Sequence, residues 1–196
     1  MRKRLVAAKI LSLLVVAFAL TTEQVYGEYS LQRLLLNLLG LSLVVSSAVG
    51  RIWTSVYISG MKNSTLVTVG PYSMVRNPLY FFSFLGFMGA GLVFGSVFLS
   101  ACLTLVFFST HWPSILREEK KLRLTFGDQF EAYCRRVPRF IPLSLRMDAP
   151  DTLFFRPAQF SRAVAESLLI FLVIPCQYLI EWAHVHSILP VVLRLP

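Results

Sequence analysis

Two short polar stretches hold the side chains of this 196-residue chain best suited to chemistry. The first is Gly70-Pro71-Tyr72-Ser73-Met74-Val75-Arg76-Asn77-Pro78-Leu79-Tyr80, and the second is Arg117-Glu118-Glu119. Arg76 brings a permanent cation, Asn77 an amide that both donates and accepts, Tyr80 a phenol, and the two glutamates an acceptor pair. Pro78 has no backbone donor and biases Asn77 toward an extended conformation, so Pro78 is expected in the first turn of a helix. Arg76 and Asn77 then stand beside that helix's N-terminus, where free backbone N–H groups also gather. The residues between the two stretches are strongly apolar. If they fold back as a hairpin, its open ends meet, and Arg76, Asn77 and Tyr80 become neighbours of Glu118 and Glu119. Ionisable groups at a membrane boundary need a partner or a watery cavity. Two readings therefore stand side by side. One is a structural ion pair of Arg76 with Glu118 or Glu119. The other is a polar pocket for a charged, soluble small molecule, with an opening to lipid for a second molecule.

The elements that would position these groups are membrane helices. Hydrophobic residues make up 56% of the chain and charged residues only 15%, against about 25% charged in soluble domains; mean hydropathy is +0.65. The apolar residues cluster in runs near the ~20 residues that span a bilayer. The formal charge of +9 follows the tendency of Lys and Arg to collect in cytoplasmic loops. No basic helix or aromatic-basic repeat points to nucleic acid. Cys102, Cys134 and Cys176 lie far apart without metal-ligand spacing, so neither a disulfide nor a metal is expected.

The expected fold is an all-α integral membrane protein of about five transmembrane helices, 1–196 as a single membrane domain. Residues 5–20 follow the basic leader Met1-Arg2-Lys3-Arg4 and read as a retained first span, not a signal peptide. The acidic loop that follows, with Glu23 and Glu28, puts the N-terminus in the cytoplasm. Residues 31–58 form the second span. Arg51 near its inner end either snorkels or points inward, and Trp53 reads as an interfacial anchor. Leu66-Val67-Thr68-Val69 reads as a short extended piece. The third and fourth spans make a hairpin over about 79–116, turning at Gly95-Ser96, with Gly86, Gly89 and Gly91 allowing close helix approach. Beyond it, Leu122, Phe126, Phe130 and Tyr133 recur at helical spacing. Gly127 reads as a helix stop, and Asp128 with Glu131 has capping-box spacing. This segment, ending in Arg135-Arg136-Val137-Pro138-Arg139-Phe140-Ile141-Pro142, is expected to be a cytoplasmic amphipathic cap lying against the bilayer over the hairpin's mouth. Residues 163–183 read as an additional, fifth span, with His184 and His186 solvated beyond it. In this topology only Arg33 and Arg194 of the 19 Lys and Arg residues lie toward the outside.

Together, GPYSMVRNPLY, the hairpin and REEKKLRLTFGDQFEAYCRRVPRFIP resemble the isoprenylcysteine carboxyl methyltransferase family and related membrane phospholipid methyltransferases. The likeness covers about residues 50–142, with 70–142 as the methyltransferase-like core. It implies a membrane-embedded methyltransferase using S-adenosyl-L-methionine, with its active site in the cytoplasm and a bacterial inner membrane favoured over the endoplasmic reticulum. By the same resemblance Asn77, Pro78 and Tyr80 line the cofactor site. Glu118 and Glu119 bind the cofactor from the hairpin's other end, and Tyr133, Arg136, Arg139 and Pro142 close the pocket. Arg139 and Glu119 are the implied catalytic residues. Many relatives carry His where this chain has Asn77, and an amide cannot act as a base near neutral pH. Methyl transfer to a carboxylate or thiolate needs none. Its demands are alignment and dryness. An amine acceptor would lose a proton, with Glu118 or Glu119 to assist.

The expected partners are the bilayer and a lipophilic methyl acceptor, with the carboxylate of an isoprenylcysteine-like substrate favoured over a phospholipid amine or a small thiol. The non-enzymatic alternative is a membrane scaffold or transport subunit in which Arg76 and the glutamates form ion pairs only.

Overall fold

The computed structural model describes residues 20–24, 30–59, 65–144, 146–150, 152–153 and 155–195. The expected first span, residues 5–20, lies outside the described residues except for Leu20. The rest is helical save for two three-residue strands. β1 (Thr22–Gln24) pairs in parallel with β2 (Leu193–Leu195). Among the described residues these strands are the departure from the all-α expectation.

Among the described residues three helices have the length and composition to cross a membrane: α1 (Leu31–Ile58), α4 (Val97–Phe126) and the stretch Pro157–Val185. Between them stand α2 (Pro71–Met74) and α3 (Pro78–Val93). α3 was expected as a full span, but its 16 residues rise only about 24 Å, short of a hydrocarbon core of about 30 Å. α4 carries Pro113 in its interior and continues into the charged segment. α5 (Asp128–Arg136) follows after Gly127. The stretch Pro157–Val185 is divided into α6 (Pro157–Leu168), a 3₁₀ turn (Leu169–Leu172) and α7 (Val173–Val185). Pro175 explains the division, because it cannot donate to Phe171 and its ring crowds that carbonyl.

The chain divides into two compact units. The first comprises Met1–Ser46, Phe84–Thr110 and Ile170–Pro196. Here the α3–α4 hairpin turns at Gly95, whose N–H donates to Leu92 at 2.8 Å. The helices approach so closely that a Cβ on Gly91 would lie 2.3 Å from Ser100 Cα, while the Ser100 hydroxyl donates to the Met88 carbonyl at 2.8 Å. Leu99 and Val106 pack with Phe87, Phe94 and Leu103. On the last helix, Glu181 receives bonds from Arg33 and from Gln177, the latter at 2.8 Å. The histidines at the end of this helix each meet a backbone carbonyl. His184 Nε2 lies 2.8 Å from the Leu20 carbonyl and His186 Nδ1 2.8 Å from that of Trp182. His186 is exposed, as expected, whereas His184 is half-buried.

The second unit comprises Ser47–Ser83 and His111–Leu169. Arg51 takes the inward course, donating to the Ser83 hydroxyl. Leu66 joins Leu122 and Phe126 around Phe130, Tyr133 and Val137, so the apolar face that the periodicity marks on α5 is buried within the protein, where it had been expected to lie against the bilayer. The capping box does not form. Gly127, with φ 48, occupies the N-cap and Asp128 is already inside the helix, with no side-chain cap bond. Glu131 pairs instead with Arg123.

Candidate functional site

The second unit builds its polar centre around the carboxylate of Glu119, a side chain only 7% exposed. Pro78 begins α3, which leaves Asn77 at the helix entrance, itself buried. From there Asn77 Nδ2 donates to Glu119 Oε1 at 3.0 Å and to the Arg139 carbonyl at 3.0 Å. Arg139 Nε donates to Glu119 Oε2 at 3.0 Å, and Arg76 Nη1 approaches Oε1 at 3.8 Å. One carboxylate thus ties the α3 entrance, α4 and the segment after α5. Glu118, one residue earlier and exposed, accepts from the Tyr80 hydroxyl at 2.9 Å. The expected meeting of Arg76 and Asn77 with the glutamates is realised, with Glu119 as the buried partner and Glu118 as the exposed one.

The backbone supports this arrangement. Gly70 has φ +62, and a Cβ there would strike the Tyr57 ring at 2.2 Å, so both conformation and space call for glycine. Its N–H donates to the Asp148 carbonyl at 2.7 Å, while the Asp148 N–H donates to the Ser73 hydroxyl at 3.0 Å. The Arg76 N–H donates to the Pro138 carbonyl at 2.8 Å. Residues 70, 73 and 76 are thereby fastened to residues 138 and 148.

Arg76 donates from Nη1 to the Cys134 sulfur, yet its Nε is buried without a hydrogen-bond partner. An unspent buried donor is costly and is a natural place for an oxygen ligand. Aromatic groups stand beside the polar ones. The Arg139 guanidinium lies 6.0 Å from the Trp112 ring centre, Trp112 meets Phe140 edge-on at 6.0 Å, and Phe140 meets Phe81 at 6.1 Å. Tyr80 stacks edge-on with His111 at 5.9 Å.

The remaining candidates are disposed differently. Tyr133 is buried, and its hydroxyl donates to the Tyr72 carbonyl at 2.6 Å, so it holds the α2 turn. Burial raises the pKa of both Tyr72 and Tyr133 above the usual tyrosine range, so each phenol keeps its proton. Pro142 is half-buried. Arg136 is exposed and makes no polar contact among the described residues. Sequence reasoning overlooked Cys134 against Arg76, Trp112 beneath Arg139 and the Ser73–Asp148 fastening. None has a spacing that announces it, since each depends on segments brought together only by folding.

The model of the phospholipid methyltransferase family matches residues 30–129, just over half of the chain. The chain is 38% identical over 135 residues to the cobalt-zinc-cadmium resistance protein CzcN of Cupriavidus metallidurans, covering 69% of this chain and 61% of that one. It is 38% identical over 125 residues to the nickel-cobalt-cadmium resistance protein NccN of Alcaligenes xylosoxydans xylosoxydans, covering 64% and 58%. A third relative is the protein-S-isoprenylcysteine O-methyltransferase of Schizosaccharomyces pombe, 35% identical over 82 residues, or 42% of this chain and 35% of that one. The chain thus spans about three fifths of the two resistance proteins and about a third of the yeast enzyme. No solved structure matches it.

Proposed function

The chain belongs to the phospholipid methyltransferase family, and from that premise we propose that it is an S-adenosyl-L-methionine-dependent membrane methyltransferase acting on a lipophilic acceptor. The observation that carries this reading is the unspent Nε–H of Arg76 beside the buried Asn77–Glu119–Arg139 junction.

The residues present suit the cofactor. It has a carboxylate for Arg76 or Arg139 and a flat adenine for the aromatic group of Trp112, Phe140 and Phe81. When bound, it supplies an electrophilic methyl group on a sulfonium. The chain's own part is to bind and orient. Glu119, with both oxygens accepting, holds Arg139 and Asn77 in place. Glu118, exposed and bonded through Oε1 to Tyr80 as its one partner among the described residues, offers its other oxygen to accept a proton from an amine acceptor. The aromatic side chains limit water, which strengthens the electrostatics of whatever sits beside them.

A carboxylate acceptor of isoprenylcysteine type is favoured by the likeness to the yeast enzyme. The two resistance proteins favour a second reading, in which the methylated group belongs to an envelope component and its methylation alters handling of divalent metal ions. Incubating membranes that contain the protein with methyl-labelled cofactor tests both. Label in a lipid or lipidated fraction, lost in Glu119→Gln, is expected; no label above protein-free membranes would refute the proposal. Extracting the labelled product and testing whether its methyl group leaves under mild base separates an ester from an amine or thioether.

A further inference from the structure

The segment that closes the site has a second face. Residues 132–144 carry three arginines and no acidic residue. From Phe140 to Leu143 inward and outward positions alternate. Val137 and Phe140 are buried, Arg139 is committed to Glu119, and Pro142 is half-buried. Ile141 is 65% exposed and Leu143 84% exposed, and Arg135 and Arg136 are exposed at the end of α5. Neither of those two guanidinium groups makes a polar contact among the described residues. Aliphatic side chains standing free beside unpaired cations suit a surface that is apolar within and anionic outside. A bilayer bearing anionic headgroups has this layering, with acyl chains to take Ile141 and Leu143 and headgroups to take the arginines.

We propose that Arg135, Arg136, Ile141 and Leu143 form a docking face for an anionic lipid surface, and that docking regulates closure of the site. The coupling is short. Ile141 is two residues from Arg139, whose side chain holds Glu119 and whose carbonyl receives Asn77; Pro138, just before, receives the Arg76 N–H. Holding the outer face against headgroups restrains the segment that carries these bonds. The regulatory half rests on the methyltransferase reading, whereas the docking half does not.

The test uses the full chain in lipid nanodiscs of phosphatidylcholine alone or with phosphatidylglycerol. Amide hydrogen exchange is followed over residues 135–144, and binding of S-adenosylhomocysteine is measured in the same discs. Exchange is expected to slow at least about tenfold in the anionic discs. The paired change Arg135→Gln/Arg136→Gln should erase the dependence on lipid charge, and Ile141→Ser/Leu143→Ser should erase the protection. Equal exchange of the unmodified chain in both lipids overturns docking, whatever the variants do. Slowed exchange with product affinity unaltered between lipids overturns regulation. Slowed exchange with no product binding in either lipid supports docking and refutes the methyltransferase reading instead.

Discussion

Glu119 and Glu118 are adjacent in sequence yet have different surroundings, and the account gives them different work. Glu119 is buried and accepts from Asn77 and Arg139; Glu118 is exposed and accepts from Tyr80. Changing Glu119 to Gln removes the charge that gathers two arginines, so affinity for S-adenosylhomocysteine should fall at least about tenfold, the weight of one charge-assisted bond. Glu118→Gln should cost less in binding and show itself in turnover. Calorimetry and initial rates on the two variants distinguish these outcomes, and equal losses in both would contradict the division of roles. Tyr133 supports a prediction about pH. Its folded pKa is raised, chiefly by burial, so the stability it contributes is fully present below the unfolded value near 10. That contribution is lost as pH rises through the folded value. Tyr133→Phe should lower stability by about 1 kcal/mol at neutral pH and flatten the alkaline decline, measured by thermal unfolding in detergent. Among these residues, the sequence disclosed Asn77 and the glutamates because Pro78 and the hairpin fix where they must lie. It did not disclose that Arg136 faces outward. One step along α5 is a turn of about 100°, and the apolar face is set by Phe130, Tyr133 and Val137.

At the scale of elements, the α3–α4 hairpin was legible from Gly95-Ser96 between two apolar runs, and close helix packing from Gly91, which faces Ser100, and Gly89, which faces Gly40 and Leu43 of α1. Gly91→Val should place atoms inside Ser100 and lower stability by about 1–3 kcal/mol, seen as a reduced midpoint in detergent. Gly127→Ala should cost only about 1 kcal/mol, because nothing lies near and only its left-handed backbone is strained. Similar losses at the two sites would count against the close helix contact. Two features were not legible. The end of α3 at Val93, before Gly95-Ser96, was legible, but hydropathy did not register that its 16 residues rise only about 24 Å, short of a span. The absent capping box arose because Gly127 can take the N-cap with φ 48, which leaves the acidic pair inside the helix. A spacing rule does not register which residue wins the cap.

For the molecule as a whole, the family and the membrane character follow from motifs and apolar runs of adequate length. The β1–β2 pair was beyond reach, since three-residue strands separated by most of the chain leave no local pattern. The competing description is a scaffold in which Glu119 and Arg139 are merely an ion pair. Exchanging them, as Glu119→Arg with Arg139→Glu, restores the pair but inverts the charges around the site. The account predicts a folded protein without methyl transfer, read by thermal midpoint and label incorporation; a scaffold would recover its function. The most direct measurement is calorimetric titration of S-adenosylhomocysteine into the purified, detergent-solubilised chain, with Arg76→Ala alongside. The account predicts saturable binding of about one ligand per chain, weakened at least about tenfold in Arg76→Ala. A folded protein that takes up no S-adenosylhomocysteine would contradict it.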